Sequence, residues 1–154
     1  MNDRMYKLRQ FHFHDPSEHP IDGKVYPMEM HLVHQDEGEH VLVVGILLEF
    51  GRENKEFSRI GDWLERYTGS RVPPTGGEVV TELSFNLTDV LPGNTHHYSY
   101  HGSLTTPPCS KGVQWIILRD PIVISEVQAG RFVSAFGPNA GPLQPLQNRN
   151  IGEN

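Results

Sequence analysis

One cysteine, Cys109, stands among 154 residues. It has no partner for a disulfide within the chain. Long apolar runs are also missing. The longest, Val41 to Phe50, contains Gly45 and Glu49 and falls far short of a membrane span. Basic charge is scarce: 13 Lys and Arg against 19 Asp and Glu leave a formal charge of −6. That balance argues against nucleic acid or an anionic membrane as partner. The first residues, Met1-Asn2-Asp3-Arg4-Met5, are polar and hold no signal-peptide core. No internal repeat and no linker interrupts the sequence. With 36% hydrophobic and 21% charged residues, the composition is that of one globular domain spanning residues 1–154, long enough to bury a substantial core.

Histidine is what the chain does have, nine in all. Two short segments concentrate it: Gln10-Phe11-His12-Phe13-His14 and Glu29-Met30-His31. Alternate residues of a β-strand point to the same side. A strand from Tyr6 to His14 puts Leu8, Gln10, His12 and His14 on one face and Phe11 and Phe13 on the other. A strand from Val25 to His34 puts Glu29, His31 and Val33 on one face and Met28, Met30, Leu32 and His34 on the other. Three neutral imidazoles with one open position describe a catalytic zinc site rather than a structural one. Metal-bound imidazoles need their second nitrogen held. Gln10 shares a face with His12 and Glu29 with His31, so each is placed to accept from its neighbour's ring. His34, His19, His40, His96, His97 and His101 are read as structural or surface residues.

The remaining pattern predicts a mostly β domain. Val41 to Phe50, nearly all apolar, reads as a central strand covered on both faces. Asn54 to Tyr67 reads as a helix with Phe57, Ile60, Leu64 and Tyr67 on one stripe, ended by Gly69 and Pro73-Pro74. Glu82 to Val90 is a short strand and turn, and Asn86-Leu87-Thr88 matches a glycosylation sequon. His96 to His101 and Val113 to Leu118 are strands. Ser125 opens a short helix with Gln128 placed for a capping box, its apolar side chains being Val127, Phe132, Val133 and Phe136. After Gly137 the chain is rich in Pro, Gly and Asn and is predicted to run extended.

Five stretches carry a family resemblance: QFHFHDPSEH at 10–19, EMHLVH at 29–34, YHGSLTTPPC at 100–109, VQWIIL at 113–118 and PLQPLQNR at 142–149. Together they resemble the α-class carbonic anhydrases of the bacterial, secreted type, from about Tyr6 to Arg149. The resemblance implies a central, largely antiparallel twisted sheet with a few short peripheral helices. It implies reversible hydration of carbon dioxide to bicarbonate by zinc-bound hydroxide, with His12, His14 and His31 as ligands. It assigns Thr105 and Glu18 to orienting the hydroxide and Asn139 to supporting His14 through its backbone carbonyl. It places Val33, Val43, Leu104, Thr106, Val113 and Trp115 around the carbon dioxide pocket. It also implies a cis bond at Pro107-Pro108.

Two departures from the pattern stand out. Gly141 occupies a position where the family usually has arginine. The chain also begins almost at its first histidine strand, so it reads as the C-terminal portion of an N-terminally truncated domain. The family's proton-shuttle histidine and the usual partner of Cys109 belong to the portion before that strand. The expected parent is periplasmic or extracellular. Truncation would leave sheet edges open to pairing with a second copy. Two rival readings follow: an inactive fragment that binds zinc weakly or serves only as an interaction module, and a different zinc hydrolase such as an esterase.

Overall fold

The computed structural model describes residues 4–68, of which 64–68 by backbone only, and residues 87–154. Strands β1 (Lys7–His14), β2 (Met28–Gln35) and β3 (Val41–Phe50) form an antiparallel meander, as the alternation predicts. Helix α1 (Lys55–Thr68) follows, then β4 (His97–Ser103), β5 (Lys111–Leu118), β6 (Ile122–Ile124), helix α2 (Glu126–Phe136) and β7 (Gly152–Glu153). The sheet runs β1-β2-β3-β5-β4-β7. All of these pairs are antiparallel except β3 with β5. Strand β6 lies parallel to the far end of β3. β3 is therefore paired on both sides, which accounts for its apolar run.

One face of the sheet carries the larger core. Met28, Met30 and Leu32 of β2 and Ile46 and Leu48 of β3 pack against Phe57 and Ile60 of α1 and Ala129 and Phe132 of α2. Phe13 of β1 reaches the same layer, its ring centroid 4.5 Å from Phe132 and 5.5 Å from Phe57. Asn54 caps α1 by accepting from the backbone N–H of Glu56 and Phe57. Ser125 and Gln128 complete the predicted capping box on α2. Gln128 does more than cap. Buried between the helices, it bonds both the N–H and the carbonyl of Asn54 and the Ser58 hydroxyl.

Some readings are refined here and others fall elsewhere. A register shift between Leu8 and Gln10 pairs Leu8 with His34 and takes it out of the Gln10–His14 row. Val127 and Phe136 face solvent, because the side of α2 that meets α1 is built from Gln128, Ala129 and Phe132. Strands β6 and β7 are too short to leave a periodic signal in the sequence. Residues 87–90 form a 3-10 turn. The predicted strand at 82–86, Asn86 of the sequon, the Gly69 and Pro73-Pro74 stop, and the side chains of Leu64 and Tyr67 all lie outside the described residues.

Candidate metal centre

The opposite face of the same strands holds the histidines. His12 pairs across β1 and β2 with His31, and His14 with Glu29. Ring nitrogens of His12, His14 and His31 lie within 4.8 Å of one another, close enough to hold one ion. His14 and His31 are buried and His12 is half-buried.

Hydrogen bonds select which nitrogens face the centre. His12 donates Nδ1–H to Gln10 Oε1 at 2.7 Å, which leaves Nε2 unprotonated. His31 donates Nε2–H to Glu29 Oε1 at 2.8 Å, which leaves Nδ1. Both nitrogens of His14 are buried without a hydrogen-bond partner among the described residues. A buried polar atom left so is costly unless something else satisfies it. Burial, with His31 and His14 nearby, holds the His12 imidazole down to about 3. Burial and then His31 lower His14 as well, against Glu18, Glu29 and the Asn139 backbone. Neutral imidazoles are the form that binds a metal. The donor set, its orphaned nitrogens and its protonation all suit zinc.

Glu29 is the most heavily bonded group of the face. Its Oε2 accepts from the backbone N–H of Glu18 and His19, each at 2.9 Å. Its Oε1 accepts from His31 and, at 2.7 Å, from His19 Nδ1. Burial alone would raise its pKa, but His19 and His31 more than offset it and keep the carboxyl below the usual range. His19 Nε2 in turn accepts from the Tyr100 hydroxyl at 2.6 Å. Burial lifts the Tyr100 phenol above its ordinary value, with the Arg149 guanidinium, 5.2 Å over its ring, opposing.

His19 is thus part of the site rather than the bland residue expected. It sits in a loop, where no periodicity marks it. The only signal for it was its place inside the QFHFHDPSEH stretch. Tyr100, on β4, and Arg149, on the tail, were missed because only the folded chain brings them to this corner.

The other expected residues gather around this frame. Gln10, Val33, Val43, Trp115 and Tyr100 form one row across five strands. Val43, Val113 and Trp115 are buried and pack with Val33 and Leu104. The Trp115 ring lies 4.9 Å from both His31 and His19 and donates Nε1–H to the Ser103 carbonyl. Asn139 binds the strand end on three sides: its side chain meets the Asp15 N–H and the Phe13 carbonyl, and its N–H meets the Asp15 carbonyl.

Glu18 Oε1 accepts from the Gly141 N–H at 2.8 Å and lies 3.4 Å from His14 Nδ1. Its Oε2 is buried without a partner among the described residues. Thr105 reaches the same corner: its carbonyl lies 3.7 Å from where a side chain on Gly141 would begin. The expected bond from its hydroxyl to Glu18 is not formed here. Thr105 and Thr106 are exposed, and Pro107–Pro108 is cis, as is Asp15–Pro16. Cys109 is a free, exposed thiol. Among the described residues no helix is long and apolar enough to cross a membrane.

A mixed β-sheet that carries three clustered histidines on one face and a helix-covered core on the other defines a fold with a candidate metal centre. The eukaryotic-type carbonic anhydrase family model matches residues 1–154. The chain belongs to that family. It is 42% identical to a carbonic anhydrase of Neisseria gonorrhoeae, across 99% of this chain and 58% of that protein. It is 38% identical to a carbonic anhydrase of Nostoc, across 96% of this chain and 54% of that protein. Its structure is similar to the α-carbonic anhydrase of Thermovibrio ammonificans solved with sulfanilamide. The TM-score is 0.84 at 36% identity, over 97% of this chain and 64% of that one. The chain therefore spans little more than half the length of these two curated relatives.

Proposed function

We propose that the chain, acting as one domain, binds a single zinc ion through His12, His14 and His31 and hydrates carbon dioxide reversibly to bicarbonate. The observation that carries this reading is the fixed pair of tautomers. Gln10 and Glu29 each hold one ring nitrogen, so that the other faces a common centre. When bound, zinc would acidify a coordinated water strongly enough to yield hydroxide near neutral pH.

The chain's own residues do the rest. Glu18 Oε2, a buried acceptor, would accept a hydrogen bond from the Thr105 hydroxyl, which leaves the hydroxyl oxygen to accept in turn from the O–H of the attacking nucleophile. That pairing aims the nucleophile. The Thr105 N–H meets the developing negative charge on the product. Val33, Val43, Leu104, Val113 and Trp115 offer an apolar wall to a small uncharged substrate, and Thr106 lines its mouth. Asn139 steadies His14 through its backbone. Proton removal to bulk is left to buffer, since no histidine beyond the ligands is assigned to it.

The test is a zinc titration of the metal-free protein followed by near-UV circular dichroism, with Trp115 against the His31 ring as reporter. One-to-one saturable binding and buffer-dependent carbon dioxide hydration are expected. No saturable binding would overturn the reading in favour of an inactive family member. Zinc binding with ester hydrolysis but no hydration would favour a different zinc hydrolase.

A further inference from the structure

We propose that Gly45 is a positioning residue for the metal: its missing side chain leaves the space that the Glu29 carboxylate fills to hold His31. The inference rests on the zinc reading above and deepens it. Gly45 lies in the middle of β3, paired with His31 on one side and with Ile117 on the other. Glycine weakens a strand interior relative to alanine. Its backbone here does not adopt the left-handed conformation that would require it. Space is what requires it. A Cβ at position 45 would stand 2.7 Å from Glu29 Oε1 and 2.7 Å from Ile117 Cδ1. Both are far inside van der Waals contact.

The two neighbours differ in what they can yield. Ile117 Cδ1 is the end of a flexible side chain and can turn away. Glu29 cannot, because it is fully buried and its two oxygens accept four hydrogen bonds. The oxygen in the way, Oε1, is the one that holds His31. A methyl group at 45 therefore displaces that oxygen or opens β2 from β3. Either movement turns the His31 ring and its Nδ1 away from the other two histidines. The close approach of a carboxylate explains a glycine that the strand itself does not want.

The test is a double-mutant cycle read as zinc affinity by chelator competition, with the visible spectrum of the cobalt(II) form as a check on ligand geometry. Gly45→Ala should weaken zinc ~10–100-fold, the range seen for lost outer hydrogen-bond partners in zinc enzymes, carbonic anhydrases among them. Glu29→Ala should do the same. Gly45→Ala added to Glu29→Ala should cost no more than about twofold further, because the carboxylate it displaces is gone. Gly45→Ala with wild-type affinity and an unchanged cobalt spectrum would overturn the proposal, as would two losses that multiply. If Gly45→Ala fails to fold, folding restored by Glu29→Ala supports the proposal. Folding restored only by Ile117→Val, or by neither, overturns it. A wild-type protein that binds no zinc overturns the zinc reading as well, whereas a tight wild type with an unaffected Gly45→Ala overturns this inference alone.

Discussion

The two faces of β2 and β3 are made by the same residues in alternation, yet they are held by different forces. On one face Met28, Met30, Leu32, Ile46 and Leu48 meet the helices, and the gain there scales with apolar area removed from water. Neighbours on that face can be exchanged if volume is kept. On the other face Glu29 and His31 are as deeply buried as any methionine, but they are held by counted hydrogen bonds of fixed direction. Removing one partner there strands another. One face gives stability and tolerates variation; the other gives geometry and does not.

This contrast can be broken by experiment. The largest effect is expected from His31→Ala, which removes one of the three proposed ligands and should cost more zinc affinity than the ~10–100-fold typical of outer partners. Unfolding of the metal-free form should change far less, and chelator competition beside urea denaturation measures both. Phe57→Ala, on the other face, should show the reverse. Its buried ring is worth ~3–5 kcal/mol of folding stability, while the folded fraction should keep its zinc affinity. If Phe57→Ala weakens zinc as much as His31→Ala does, the faces are not separable.

A smaller effect sharpens the contrast through pH. The unfolded chain takes up protons near 6.5, but buried His12 does so only near 3. Between those values the unfolded state binds more protons, so stability falls as pH falls. For the metal-free protein the loss from pH 7.5 to pH 5 should be about 2 kcal/mol from His12, with His14 adding in the same direction. Glu29, held low, contributes its own loss only below its ordinary value of 4.5. Urea midpoints at the two pH values measure the slope. His12→Gln should flatten it, while Phe57→Ala should leave it unchanged.

Much of this is legible in the amino-acid sequence. The period of two in 10–14 and 29–33 places His12, His14, His31, Gln10 and Glu29 on one face, because that period is fixed by the strand itself. The capping pair Ser125 and Gln128 was legible because capping is local. What joins distant segments was not. No local pattern pairs β3 with β5, places Tyr100 against His19, or lays Arg149 over Tyr100. The cost of a side chain at Gly45 depends on two other strands at once. That Val127 and Phe136 are exposed was hidden for a related reason: which side chains of α2 are covered depends on its packing against α1, and there Gln128, Ala129 and Phe132 of α2 face inward.

The strand order has a consequence in time. The three histidines come from β1 and β2, a neighbouring antiparallel pair, and their second partners Gln10 and Glu29 lie on those same strands. Trp115 and Tyr100 arrive only when β5 docks alongside β3, a parallel contact between segments far apart in the chain. Contacts between distant segments carry a larger entropic cost and form later. The three histidines can thus gather while the wall of the pocket is still absent, and during synthesis β1 and β2 leave the ribosome before β4 and β5. An ion captured at that stage would act as a nucleus around which the later strands assemble.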